Sequence, residues 1–185
     1  VPINQLTSLD VSNNTALEHF NCSSNQLTSL DVSNNTALEQ FYCHFNQLTS
    51  LDVSNNTALE RFYCHYNQLT SQDVSNNTAL THLLFTGNEL TVLDMRNGRT
   101  DALIGFNAEH NALSCILVDQ EDVEWATENL THEIDEGVIF DPECLLAYTY
   151  VPDDNFEQAL IDLGYDNALD DSVLTANIDI VTELN

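Results

Sequence analysis

The sequence predicts a solenoid built mainly of β structure, with short parallel strands stacked coil on coil and little helix. Three observations predict it. Asn recurs at positions 4, 25, 46, 67 and 88, a strict 21-residue period. Each period holds two nested copies of one pattern, as in Leu27, Leu30, Val32 and Asn35 followed by Leu38, Phe41, Cys43 and Asn46. Apolar residues alternate over the middle of each copy, which marks a short strand with one buried face. A lone coil cannot bury its apolar edge, so stacking is obligatory and the ends need caps.

The individual elements follow from this frame. Leu, Leu and Val of one half-coil, with Leu, Phe and Cys of the other, fill the interior of each turn. Asn46 and its equivalents fall at the bend, where their amides can bond free backbone groups of neighbouring coils. Gln72 stands where the other coils place Leu9, Leu30, Leu51 and Leu93. A polar group there points at the core and costs roughly 1–3 kcal/mol unless bonded. Coil five gains two residues within 96–101 and regains the frame at Leu103 and Phe106. That turn holds Arg96 and Arg99, either as a contact site on an acidic body or as charge balance against Asp94 and Asp101. Cys22, Cys43 and Cys64 sit in register on adjacent coils. A strand spacing of ~4.8 Å holds parallel Cβ atoms beyond the ~3.5–4.5 Å that a disulfide needs, which predicts a ladder of buried free thiols.

The recurring LxxLxLxxN pattern resembles the leucine-rich-repeat family over residues 3 to about 118. Its nested 21-residue form is similar to the class found in multi-module surface or secreted proteins of Bacteroidetes-type bacteria. The resemblance implies a leucine-rich-repeat solenoid over 1–118, in about five coils, that serves recognition. After Leu113 the pattern holds for one strand, with Ile116 and Val118 inward, and then dissolves, so residues 119–147 are expected to form a C-terminal cap around Trp125. Cys115 falls between inward-facing positions and should point outward. A disulfide to Cys144 would fasten the cap by roughly 3–4 kcal/mol in the loop-entropy model and would place the protein outside the reducing cytosol. The CIxVD stretch at 115–119 with FxxxC at 140–144 looks like the ending of related bacterial arrays.

Residues 148–185 begin afresh. Asp153 or Asp154 can cap a helix through about Leu163, with Phe156, Leu160 and Ile161 on its apolar side and Gly164 ending it. Residues 178–184 alternate like a strand. The 151–164 stretch resembles the helical opening cap of a second repeat module, which implies a longer parent whose neighbouring modules touch this one.

Thirty Asp and Glu against three Arg and no Lys give a net charge of −27. That field repels nucleic acid and anionic membrane surfaces. No run of about 18 apolar residues exists to insert into a bilayer. No cofactor is expected. Calcium is the one ion the acidic surface could recruit, and Asp10, Asp31, Asp52, Asp73 and Asp94 form a column on one strand face. Calcium takes about six to eight oxygens, so bonding to backbone or to neighbouring Ser is the plainer role for that column.

Catalysis finds no footing, since no Ser-His-Asp or Cys-His set and no Gly-rich phosphate loop interrupts the repetition. Function therefore falls to outward positions of the LxxFxC strands. Coils two and three present Tyr42, His44, Phe45, Tyr63, His65 and Tyr66 close together. An exposed aromatic patch with hydrogen-bonding rims suits recognition of protein or glycan; equally, cross-strand aromatics can simply stabilise the ladder. His44 and His65 could share a metal, but without a third ligand the pair makes a weak site. The leading expectation is a non-catalytic adhesion module at a cell surface or in the extracellular space. The rival is a stiff rod that spaces other domains and has no ligand of its own.

Overall fold

The computed structural model describes residues 3–144, 148–150 and 172–174. Each half-coil supplies too few alternating residues for a long strand, so the strands of the array and its cap have three residues each, with the central one buried. In chain order they are β1 (His19–Asn21), β2 (Gln40–Tyr42), β3 (Arg61–Tyr63), β4 (Ser71–Asp73), β5 (His82–Leu84), β6 (Val92–Asp94), β7 (Gly105–Asn107), β8 (Cys115–Leu117) and β9 (Ile139–Asp141). They form two parallel sheets, ordered β1-β2-β3-β5-β7 and β4-β6-β8-β9. Register in the first sheet is strict: Phe20, Phe41, Phe62, Leu83 and Phe106 stand side by side.

These rings make the core continuous from coil to coil. Phe20 stacks on Phe41 at 5.4 Å and Phe41 on Phe62 at 5.6 Å, nearly parallel. Cys22, Cys43 and Cys64 form the next inward column as buried free thiols. In coil four the two columns exchange bulk. Leu83 replaces Phe while Phe85 replaces Cys, and the Phe85 ring turns edge-on to Phe62 at 5.1 Å. The swap moves the ring from one column to the other and ends the thiol ladder.

Two asparagine ladders tie the bends. Oδ1 of Asn46, Asn67 and Asn88 accepts the backbone N–H of Leu27, Leu48 and Leu69 one coil earlier. Their Nδ2 groups donate to carbonyls of their own coil and the preceding one, as Asn46 does to Cys43 (2.9 Å) and Cys22 (3.0 Å). A second ladder of Asn35, Asn56 and Asn77 donates only to the preceding coil, Asn56 to Asn35 (2.8 Å) and Val32 (3.1 Å), and its Oδ1 atoms are buried without a partner. Buried backbone groups must be paired, and in the first ladder Asn carries a donor and an acceptor on a side chain short enough to serve both coils.

The second sheet differs from the alternation pattern. Residues 8–10, 29–31 and 50–52 carry the same motif but lie outside any strand. Pairing starts only between β4 and β6, where the outward Ser of coils one to four gives way to Val92, then Cys115 and Ile139. β-branched residues suit a pleated strand and Ser does not, which accounts for the late start. Gln72 is buried in β4 as its position predicts. Its Nε2 donates to the Asp73 carbonyl at 3.1 Å, while Oε1 is buried with no partner. Gln72→Leu is expected to raise the unfolding free energy by about 1–3 kcal/mol, checked by urea denaturation.

The cap continues the array further than the repeat pattern suggests. β9 pairs in register with β8 and seats Phe140 beside Ile116. Between them helix α1 (Val123–Leu130) buries Ala126 and Leu130. The insertion of coil five is bound down rather than free. Arg96 pairs with Asp94 at 2.5 Å and donates to the Pro142 carbonyl, while Asp119 and Asp122 accept the N–H groups of Gly98 and Thr100. Cys115 and Cys144 form a disulfide. The chain divides into two compact units, Val1–Glu143 and Cys144–Asn185. In the second, β10 (Tyr148–Tyr150) pairs antiparallel with β11 (Ser172–Leu174). The helix expected from Asp153 to Leu163 and the strand expected at 178–184 lie outside the described residues.

Candidate recognition surface

The first sheet presents its outward residues as two columns, and the turn after each strand adds a third. β2 and β3 set Tyr42 beside Tyr63, their rings edge-to-face at 5.0 Å, with the Tyr42 hydroxyl donating to Gln40 Oε1 at 2.9 Å. Beyond the strands His44 stacks on His65 at 4.3 Å and 8° between planes. Phe45 stacks on Tyr66 at 4.7 Å, and its edge meets both imidazoles at 5.6 Å. The six side chains named from the sequence thus fall in two ring groups, Tyr42 with Tyr63 and His44, Phe45 and His65 with Tyr66.

Phe45 and Tyr66 are about half exposed (49% and 47%) and sit in left-handed backbone, φ 53° and 54°. The same turn position is Ile3, Ser24, Gly87 and His110 in the other coils, all with positive φ. Bulky L-residues pay roughly 1–3 kcal/mol for that conformation. Gly87 serves a second purpose: a Cβ there would stand 2.6 Å from Cδ1 of Tyr66, so its hydrogen makes room for the ring. The strained backbone was not visible in the motif, although a Gly in the same column as two aromatics was the available signal.

The histidines are tuned by their surroundings. Nδ1 of both His44 and His65 is buried without a partner. A neutral ring avoids an unmade buried donor by carrying its proton on Nε2. Burial lowers the pKa of His44, and burial together with the charge of His44 lowers that of His65 to about 4. Below an ordinary histidine pKa near 6.5 the unfolded chain takes protons before the folded one does. The stability these rings contribute is thus full above pH ~6.5 and is lost as pH falls toward 4. A histidine NMR titration is expected to place the His65 midpoint near 4; a midpoint near 6.5 would contradict the buried Nδ1.

The same geometry argues against a shared metal. Parallel rings do not converge on one ion, and ligation through Nε2 would force the proton onto buried Nδ1. Among the described residues no group of three or more His, Cys, Asp or Glu is placed to hold a metal. The thiols are equally closed: burial pushes Cys22 up to about 12 and Cys43 well above its ordinary value. Nor, among the described residues, is any helix long and apolar enough to cross a membrane.

With the coils, ladders and outward columns in place, the chain can be set beside known proteins. The family model for leucine-rich repeats (two copies) matches residues 15–56. That segment carries leucine-rich repeats. Among solved structures it is similar to the functional domain of InlJ from Listeria monocytogenes, described as including a cysteine ladder. That likeness has 37% identity and a TM-score of 0.55, over 63% of this chain and 28% of that one. It is also similar in fold to the internalin inlF from Listeria monocytogenes, at 19% identity and a TM-score of 0.54, over 76% of this chain and 45% of that one. The leucine-rich-repeat chain thus spans less than half the length of either. Comparison with curated proteins gives no match. Both structures come from Listeria, so they support the bacterial repeat fold and not a Bacteroidetes-type setting in particular.

Proposed function

We propose that this leucine-rich-repeat array is a non-catalytic recognition module, displayed on a cell surface or secreted, that binds protein or glycan through Tyr42, His44, Phe45, Tyr63, His65 and Tyr66. One observation carries the reading. Two adjacent coils place large aromatics, half exposed and stacked on each other, at a turn position that is left-handed in every coil from Ile3 to His110. The turn imposes the left-handed backbone in each coil, but it does not call for a pair of exposed stacked rings, and exposed aromatic patches mark contact sites. The Listeria structures provide a structural parallel. We further assign residues 1–118 to the array, 119–147 to its cap and 148–185 to the start of a second module, with neighbouring modules of a longer parent as intramolecular partners.

Tyr42→Ala/Tyr63→Ala tests the reading with little expected cost to the fold, since both rings lie outside the core. In a screen of extracellular-matrix proteins and glycans, a saturable ligand is expected to lose at least about tenfold in affinity, the effect of about 1.4 kcal/mol. A folded chain that binds nothing in the screen would favour the spacer rod.

A further inference from the structure

Asn97 is the one Asn of the sequence that is followed by Gly. The pair lies within the insertion of coil five, in a bend outside helix and strand. Three hydrogen bonds converge on it. The Gly98 N–H donates to Asp119 Oδ2 at 2.6 Å. Asn97 Oδ1 accepts the Arg99 N–H at 3.0 Å, which folds the side-chain amide back over the peptide linking Asn97 to Gly98. Asn97 Nδ2 donates to the Asn77 carbonyl at 3.2 Å. Gly98 is exposed with φ 69°, and nothing stands within 4 Å of where a Cβ would be. Water therefore reaches the turn, and no side chain at 98 shields the backbone nitrogen.

We propose that Asn97-Gly98 is a self-modification site, at which the Asn97 amide passes through a cyclic imide to aspartyl and isoaspartyl products with Asp119 as the base. The Gly98 nitrogen is the nucleophile and Asn97 Cγ the electrophile. Asp119 takes the proton from that nitrogen as the N–Cγ bond forms. Negative charge grows on Asn97 Oδ1, where the Arg99 N–H already donates. Collapse then breaks the Cγ–Nδ2 bond, and the amino group leaves as ammonia with the proton that Asp119 returns. Water opens the imide at either carbonyl. Attack at Cγ leaves an aspartyl residue at position 97, and attack at the backbone carbonyl leaves a chain that runs through Cγ. One ammonia leaves and one water enters, so no oxidant or reductant is needed. Holding nucleophile, base and oxyanion donor together in one turn is what accelerates an intramolecular step. Either product loses the donor to the Asn77 carbonyl and adds a carboxylate to the turn that is tied to the cap through Arg96, Gly98 and Thr100. The site acts on the coil-five junction and does not depend on the recognition surface.

The test is incubation of the full chain at neutral pH, followed over time by peptide mass mapping and isoaspartate detection. Conversion is expected at Asn97 ahead of every other Asn. Asp119→Asn keeps an oxygen to accept the Gly98 N–H but supplies no base, so conversion should slow by at least about tenfold, with circular dichroism unchanged. In concentrated urea the two proteins should convert at one rate, slower than the folded wild type. Faster conversion of the wild type in urea than in the folded state would overturn the site, because the hydrogen bonds would then protect the turn. A rate in the folded chain that Asp119→Asn leaves unchanged or raises would overturn it as well.

Discussion

Asn67→Ala is expected to lower the unfolding free energy by about 3–5 kcal/mol, more than any exposed substitution in the array. Asn67 Oδ1 accepts the Leu48 N–H at 3.0 Å, and its Nδ2 donates to the carbonyls of Cys64 at 3.1 Å and Cys43 at 3.2 Å. The side chain is 8% exposed. Alanine removes the amide but leaves the backbone groups of two coils where they are, cut off from water. Each unmade buried partner costs about 1–3 kcal/mol, and the three are coupled through one bend. Asp would keep the Oδ1 acceptor and lose the donor, so Asn67→Asp should fall between wild type and Asn67→Ala. Guanidinium denaturation of the three proteins measures this directly. Equal stability of Asn67→Ala and wild type would mean that water replaces the ladder.

The second large effect belongs to the cap. Cys115→Ser/Cys144→Ser is expected to destabilise the C-terminal end by about 3–4 kcal/mol, the loop-closure entropy of a bridge spanning some 30 residues. Neighbouring coils in a solenoid couple mainly to each other, so the loss should be local. Hydrogen exchange is expected to accelerate at β8, α1 and β9, while protection at β2 and β3 stays unchanged. Uniform acceleration along the array would show that the cap and the coils unfold as one unit.

Much of this architecture was legible in the sequence because it repeats. The period set the stacking, Phe41 and Phe62 named the core column, and Asn46 named the bend. The thiol ladder followed from strand spacing alone. Context-dependent features were less accessible. The motif around Leu30 and Leu51 alternates like a strand, yet pairing waits for Val92, since a strand needs a neighbour that favours the pleat. β9 holds only Ile139 and Phe140 as an apolar signal and lies beyond the last repeat, so its register with β8 was not predictable from periodicity. At the recognition surface the six residues were visible as outward positions. The left-handed backbone under Phe45 and Tyr66, and the buried Nδ1 atoms of His44 and His65, depend on the turn conformation and on packing between coils. A single coil's sequence does not encode either.

Phe45→Gly/Tyr66→Gly decides whether the aromatic residues exist for recognition. Glycine relieves the left-handed strain, by about 1 kcal/mol or more at each site, and forfeits a stacked pair of about 0.5–1.5 kcal/mol. Thermal unfolding should therefore move little, or upward, while attachment to cells or matrix is lost. A large fall in melting temperature with attachment intact would contradict the account and make the aromatics part of the scaffold.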